Sequence, residues 1–152
     1  MGLGLPGAVG MALAKKLKGE EGRVYCLMSD GEMAIGTTWE SALIAAMHKL
    51  DNLYVIVDVN GLQAMGRTDH ILNLEPLWEK WESFGWISYQ ADGHNFEDID
   101  KCLDGKSERP QVFLAITTKG KGWKRSENNN LYHYKGLSKQ EYQEAKREIK
   151  HG

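Results

Sequence analysis

At 152 residues, with a formal charge of −2 and a pI near 6.2, the chain has the size of one domain and no basic footprint for nucleic acid. A domain of this length buries about 70% of the surface its unfolded chain exposes, enough for a core without disulfide or metal staples. No apolar run approaches the ~18 residues of a membrane span and no charged-then-apolar leader opens the chain, so a cytoplasmic location is the default expectation. Cys26 and Cys102 lie far apart, in an apolar run and a helical run, where buried free thiols are expected.

In chain order, residues 7–18 read as a helix with a small inner face formed by Gly7, Ala8, Gly10, Ala12 and Ala14. Residues 23–28 (RVYCLM) read as a buried strand stopped by the turn Ser29-Asp30-Gly31. Thr37 and Glu40 have capping-box spacing, and Trp39, Leu43, Ala46, Met47 and Leu50 then recur at helical period. Residues 53–58 (LYVIVD) form the second clear strand, ending at Asn60-Gly61, and the loop 61–72 carries no regular period. A helix over 74–84, a strand at 86–90, a helix at about 96–103 capped by Asn95, and a strand at 111–117 follow. Ser138 and Glu141 form a second capping box, opening a charged terminal helix.

Alternating helices and near-continuous apolar strands predict an α/β fold, a parallel sheet with helices on both faces. In such sheets ligands gather outside the carboxyl ends of the strands. That rim holds Ser29–Glu32, Asn60–Ala64 and Thr117–Gly122. Asp30 offers a carboxylate and Asn60 a carbonyl oxygen, both hard ligands suited to magnesium or calcium, and Gly31 lets backbone approach a phosphate. Asp-Gly and Asn-Gly are also ordinary turn dipeptides, so the residue chemistry alone leaves turn and metal site both open.

Asp30-Gly31 followed after thirty positions by Asn60 resembles the metal-diphosphate motif of thiamine-diphosphate enzymes, at the spacing of transketolases. Other segments resemble that family in the same order. Residues 2–12 are similar to its glycine-rich G-x-G-x-x-x-A-x-G-M-A stretch, and 31–50 to its G-E-x-x-E-G-x-x-W-E-A helix. Residues 52–63 are similar to N-L-x-x-I-x-D-x-N-x-x-Q, 84–94 to F-x-x-G-W-x-x-x-x-x-D-G-H, and 117–122 to T-x-K-G-x-G. The resemblance spans nearly the whole chain and implies a thiamine-diphosphate-binding fold, here a single diphosphate-binding domain over 1–152.

It implies thiamine diphosphate with Mg²⁺ or Ca²⁺ as cofactors. Asp30, the Asn60 side chain and the Leu62 carbonyl would be metal ligands; the Gly31 amide and His133 would bind diphosphate; Met1 and Ala64 would line the cofactor pocket. His94 reads as structural, while His48, His70 and His151 carry no role. The Lys119–Gly122 turn is either a solvated loop or part of the frame of the cleft. Three positions depart from the family pattern: Ser29 stands for a glycine, Val59 precedes Asn60, and Ile35 replaces a glutamate that joins a carboxylate network between active sites.

The resemblance begins inside the glycine-rich segment, so the family's first helices and its pyrimidine-binding domain are expected to be missing from this chain. A partner subunit or domain of the pyrimidine type would complete the site, in a homo- or hetero-oligomer, for transfer of a two-carbon ketol unit between sugar phosphates. Two alternatives stay open: a non-catalytic cofactor-binding or assembly remnant, and a subunit of another thiamine-diphosphate enzyme such as deoxyxylulose-phosphate synthase or a dehydrogenase E1. Gly2, Gly4 and Gly7 also satisfy G-x-G-x-x-G, but no strand precedes them, as a dinucleotide fingerprint requires.

Overall fold

The computed structural model describes residues 1–151. Helix α1 (Gly4–Lys18) leads into strand β1 (Val24–Ser29), a 3₁₀ turn (Asp30–Ala34) and helix α2 (Gly36–Met47). Strand β2 (Leu53–Val59) is followed by a small hairpin of β3 (Leu62–Gln63) and β4 (Gly66–Arg67), then by the short helices α3 (Thr68–Ile71) and α4 (Leu77–Ser83). Strand β5 (Ile87–Asp92), helix α5 (Phe96–Asp104), strand β6 (Gln111–Ile116), a second 3₁₀ turn (Asn130–His133) and helix α6 (Lys139–His151) complete the order.

Strands β1, β2, β6 and β5 pair side by side in that order, all parallel, as the apolar runs predict. Alternation sets the two faces. Cys26 and Met28, Val55 and Val57, Val112 and Leu114 point to one side and join the core beneath α1, α2 and α4. On the other side Tyr54, Gln111 and Tyr89 meet the end of α5 at Gly105, and the Arg23 guanidinium lies 4.6 Å above the Tyr54 ring. Helices therefore flank both faces. The edge is less well covered: Tyr25 and Leu27 of β1 are 51% and 74% exposed.

One side of the core is an aromatic cluster. Trp39, Trp81, Phe84 and Trp86 stack in tilted and edge-on pairs with centroids 4.8–5.3 Å apart, arrangements that suit the ring quadrupoles. The indole of Trp86 donates to the Ala42 carbonyl at 2.9 Å, which anchors α2 over the sheet.

Four local expectations need correction. The buried face of α1 is Leu5, Ala8, Val9 and Ala12, whereas Gly7, Gly10 and Ala14 point outward; at 100° per residue they fall on the opposite side from Leu5. Thr37 and Glu40 form no capping box. Helix α2 starts at Gly36, and the Thr37 hydroxyl is drawn away to the Gly2 carbonyl at 2.9 Å. The 61–72 stretch is not irregular: it holds β3, β4 and α3, each too short to show a period in sequence. Cys26 is buried but Cys102 is only half-buried, and both are free. The caps at Asn95 and Ser138/Glu141 form as expected, with Asn95 accepting from the Glu97 amide at 2.9 Å and Ser138 and Glu141 bonding reciprocally.

Candidate diphosphate and metal site

The pairing of Ser29 with Asp58 aligns the carboxyl ends of β1 and β2, so the turns leaving them meet. Asp30 sits at that junction with 2% of its surface exposed. Its carboxylate accepts from its neighbour's amide, Gly31, at 2.7 Å and from the Gly61 amide across the junction at 2.6 Å. Burial pushes the Asp30 carboxyl above the usual carboxylate range; the Gly61 and Gly31 amides pull it back, and nearby Asp58 pushes it further up. A cation beside it would favour the charged form.

Asn60 lies at the same junction. Its Oδ1 accepts from the Leu62 amide at 3.0 Å, and its Nδ2 donates to Asp58 Oδ2 at 2.9 Å. Asp30, Asn60 and the start of β3 at Leu62 are thus brought together, as the sequence pattern requires. Among the described residues no cluster of three or more His, Cys, Asp or Glu is arranged to hold a metal. The donor set here has one carboxylate, one carboxamide and backbone carbonyl, a hard oxygen set that leaves positions for a ligand's oxygens. Its chemistry fits a divalent cation shared with a diphosphate.

Gly31 is buried, and a Cβ on it would lie 3.3 Å from both Cβ and Oε1 of Gln63, so the approach of β3 to this turn leaves room for little more than glycine. Met1 is 81% exposed, and the next residue is pinned to the site: the Gly2 amide donates to Glu32 Oε1 at 2.6 Å. Ala64 is exposed, and its carbonyl accepts from Asn130 Nδ2 at 3.0 Å. That bond ties the 3₁₀ turn ending at exposed His133 to the loop that carries Asn60 and Leu62. His94 is structural: its Nε2 accepts from the Thr118 amide at 2.8 Å and so holds the Thr117–Gly122 stretch to the end of β5.

Residues to which the sequence pattern gave no individual role also hold the site together: Asp58, Gln63, Asn130 and Thr117. Thr117 donates to Asp58 Oδ1. Three of them stand at fixed positions of the family patterns, Asp58 and Gln63 in D-x-N-x-x-Q and Thr117 in T-x-K-G-x-G, and the alternation Asp58-Val59-Asn60 places two polar side chains on one side of the strand end. Asn130 lies 66 positions from Ala64, and no local pattern predicts such a contact.

Residues 1–151 match the family model described as "Transketolase, thiamine diphosphate binding domain". The chain is 40% identical over 152 residues to an apulose-4-phosphate transketolase subunit of Actinobacillus succinogenes, covering 99% of this chain and 55% of that protein. It is 36% identical over 152 residues to the 6-deoxy-6-sulfo-D-fructose transketolase subunit of a Clostridium species, covering 98% of this chain and 55% of that one. The transketolase of Campylobacter jejuni superposes with a TM-score of 0.93 at 30% identity, over 99% of this chain and 25% of its own. The chain spans about half the length of the curated subunit relatives it matches. With the strand ends, the buried Asp30 and the Asn60 turn in one place, the match is to sequence and fold alike: this chain belongs to the transketolase family, as its thiamine diphosphate binding domain.

Proposed function

We propose that this chain holds the diphosphate end of thiamine diphosphate, through a divalent cation, as one subunit of a split transketolase. The observation that carries this reading is Asp30, a buried carboxylate at the meeting point of two strand ends with a carboxamide beside it. Asp30, Asn60 Oδ1 and the Leu62 carbonyl would ligate Mg²⁺ or Ca²⁺. The Gly31 amide and His133 would bind the diphosphate, with Met1 and Ala64 against the cofactor. When bound, the cofactor supplies the carbanion and the electron sink that two-carbon ketol transfer between sugar phosphates needs. The chain's own residues neutralise and orient its anionic end.

A partner subunit of the pyrimidine-binding type is part of this proposal. Met1, Ala64 and His133, the residues proposed to lie against the cofactor, are all exposed, so a second wall is needed to enclose a whole cofactor. Apolar surface is available for such a partner: Met11 and Leu17 of α1 and Leu43 and Met47 of α2 are 55–82% exposed. The relatives named above carry the names of different sugars, one phosphorylated and one sulfonated, so the donor and acceptor of this chain are left as the class of anionic sugars, sugar phosphates among them.

Calorimetry tests the reading. Thiamine diphosphate should bind only with Mg²⁺ or Ca²⁺ present, and more tightly once the partner subunit is added. Equal binding without metal would remove the ligand assignment. A second reading, a cofactor-binding remnant without turnover, is favoured by Ile35. Its side chain packs on Gly2 and offers no carboxylate to a network between sites. Ketol transfer by the complete assembly would dismiss it.

A further inference from the structure

We propose that Asp58, clamped by Thr117, is a positioning residue that sets which end of the Asn60 carboxamide faces the cation; this deepens the metal-site reading above and rests on it. A carboxamide is nearly symmetric in shape but not in chemistry. Its oxygen ligates a cation, and its amino group repels one. Shape alone does not choose between the two orientations, so the choice falls to the hydrogen-bond partners.

Those partners leave one arrangement. A carboxylate oxygen accepts, and Asp58 Oδ2 accepts the hydrogen bond that Asn60 Nδ2 donates at 2.9 Å. A backbone amide only donates, and the Leu62 N–H points at Asn60 Oδ1 from 3.0 Å. Turning the carboxamide over would set oxygen against oxygen at Asp58 and N–H against N–H at Leu62. Both contacts would become repulsive, so the oxygen is held toward Leu62, the residue whose carbonyl is the third ligand of the proposed site.

Asp58 can impose this only if it is fixed itself. Its other oxygen, Oδ1, accepts from the Thr117 hydroxyl, and the Thr117 amide donates to the Val59 carbonyl at 3.1 Å. The clamp therefore bridges the ends of β2 and β6, whose register sets Asp58 against Ala115 and Val59 against Ile116. Asp58 reaches the site through the Asn60 side chain: one oxygen accepts from Asn60 Nδ2 and the other from the Thr117 hydroxyl. Outer-shell partners of this kind commonly change metal affinity 10–100-fold when removed.

The test uses Mn²⁺ as the probe, with affinity for this chain measured by electron paramagnetic resonance in the presence of thiamine diphosphate. Asp58→Leu removes the acceptor and should weaken Mn²⁺ by about 10–100-fold. Asp58→Asn keeps an acceptor for Asn60 and offers its own amino group to the Thr117 hydroxyl, so it should keep most of the affinity despite losing a charge. Thr117→Val, which leaves Asp58 in place but unclamped, should fall between them. It carries the test with Asp58→Asn if circular dichroism shows that Asp58→Leu does not fold. The proposal is overturned if Asp58→Leu binds like the wild type, or if Asp58→Asn loses as much as Asp58→Leu, which would mean that Asp58 acts through charge alone. Asn60→Ala separates the two levels: wild-type binding by that variant would remove the metal site itself, whereas its loss beside an unaffected Asp58→Leu removes only the positioning role.

Discussion

Replacing Asp30 by Asn separates the cost of building the site from its use. In the metal-free protein Asp30 is a buried carboxylate whose burial raises its pKa above the ordinary 3.8. A carboxyl raised on folding contributes stability while it is protonated, and that contribution is lost as pH rises from 3.8 through its folded value. At neutral pH the ionised group therefore works against the empty fold. Asn removes that penalty but can accept from only one of the two amides, Gly31 or Gly61, and an unsatisfied buried amide costs about 1–3 kcal/mol. The two effects oppose each other, so the metal-free variant should lose less than the ~1–3 kcal/mol that an unsatisfied amide costs by itself. The ligand-bound comparison is different. Metal and cofactor at about 100 times Kd stabilise the wild type by about 2.7 kcal/mol. For a domain of this size that is a rise in Tm of about 5–11 °C. Asp30→Asn should gain no more than thiamine diphosphate alone provides. Thermal melts with and without Ca²⁺ and thiamine diphosphate measure both halves. A variant that gains as much as the wild type on adding Ca²⁺ would refute the assignment of Asp30 as the charged ligand.

Three further outcomes concern the frame around the site. Gly120 has φ +74°, and a Cβ there would lie 2.5 Å from the Ser126 carbonyl oxygen and 2.7 Å from its carbon. Gly120→Ala therefore combines a left-handed penalty of about 1–2 kcal/mol with overpacking of about 1–3 kcal/mol, for a loss of about 2–5 kcal/mol in urea unfolding. A loss below about 1 kcal/mol would show that the 118–128 loop relaxes freely. At the other end, Ser138→Ala should cost about 1 kcal/mol by removing the cap of α6. Lys135 and Ser138 hold the Glu141 carboxyl down to about 2, so its contribution is full above its ordinary 4.5 and drains away as pH falls from 4.5 to about 2. Helix content followed by circular dichroism through that window should drop in the wild type and change less in Glu141→Gln.

The sheet was legible in the sequence because its central strands are buried on both faces: β2 and β6 are near-continuous apolar runs, the pattern of parallel strands covered on both sides. The caps at Asn95 and Ser138 were legible because a cap is a local contact over two or three residues. The capping box at Thr37 failed for the opposite reason: a contact 35 residues away outbid the local one and drew the hydroxyl to Gly2. Site residues divide the same way. Asp30, Gly31 and Asn60 announce themselves as turn residues at strand ends, but Gln63 and Asn130 act through the folded contacts with Gly31 and Ala64.

The site therefore depends on the core more than its own residues suggest. Asp30 reaches the Gly61 amide only because Ser29 pairs with Asp58, and that pairing is set by Cys26 and Met28 lying beside Val55 and Val57 on the buried face. Side chains alternate along a strand, so a shift of one residue between β1 and β2 would turn one apolar set outward. The same shift would separate Asp30 from the Asn60 turn. Burial of four apolar side chains thus selects one register, and that register brings the carboxylate and the carboxamide together. Thr117 extends the dependence to a third strand, because its bond to Asp58 requires the register of β6 against β2. A core substitution that loosens this pairing, far from any ligand atom, should weaken metal binding along with stability, whereas a change at Asp30 itself should separate the two.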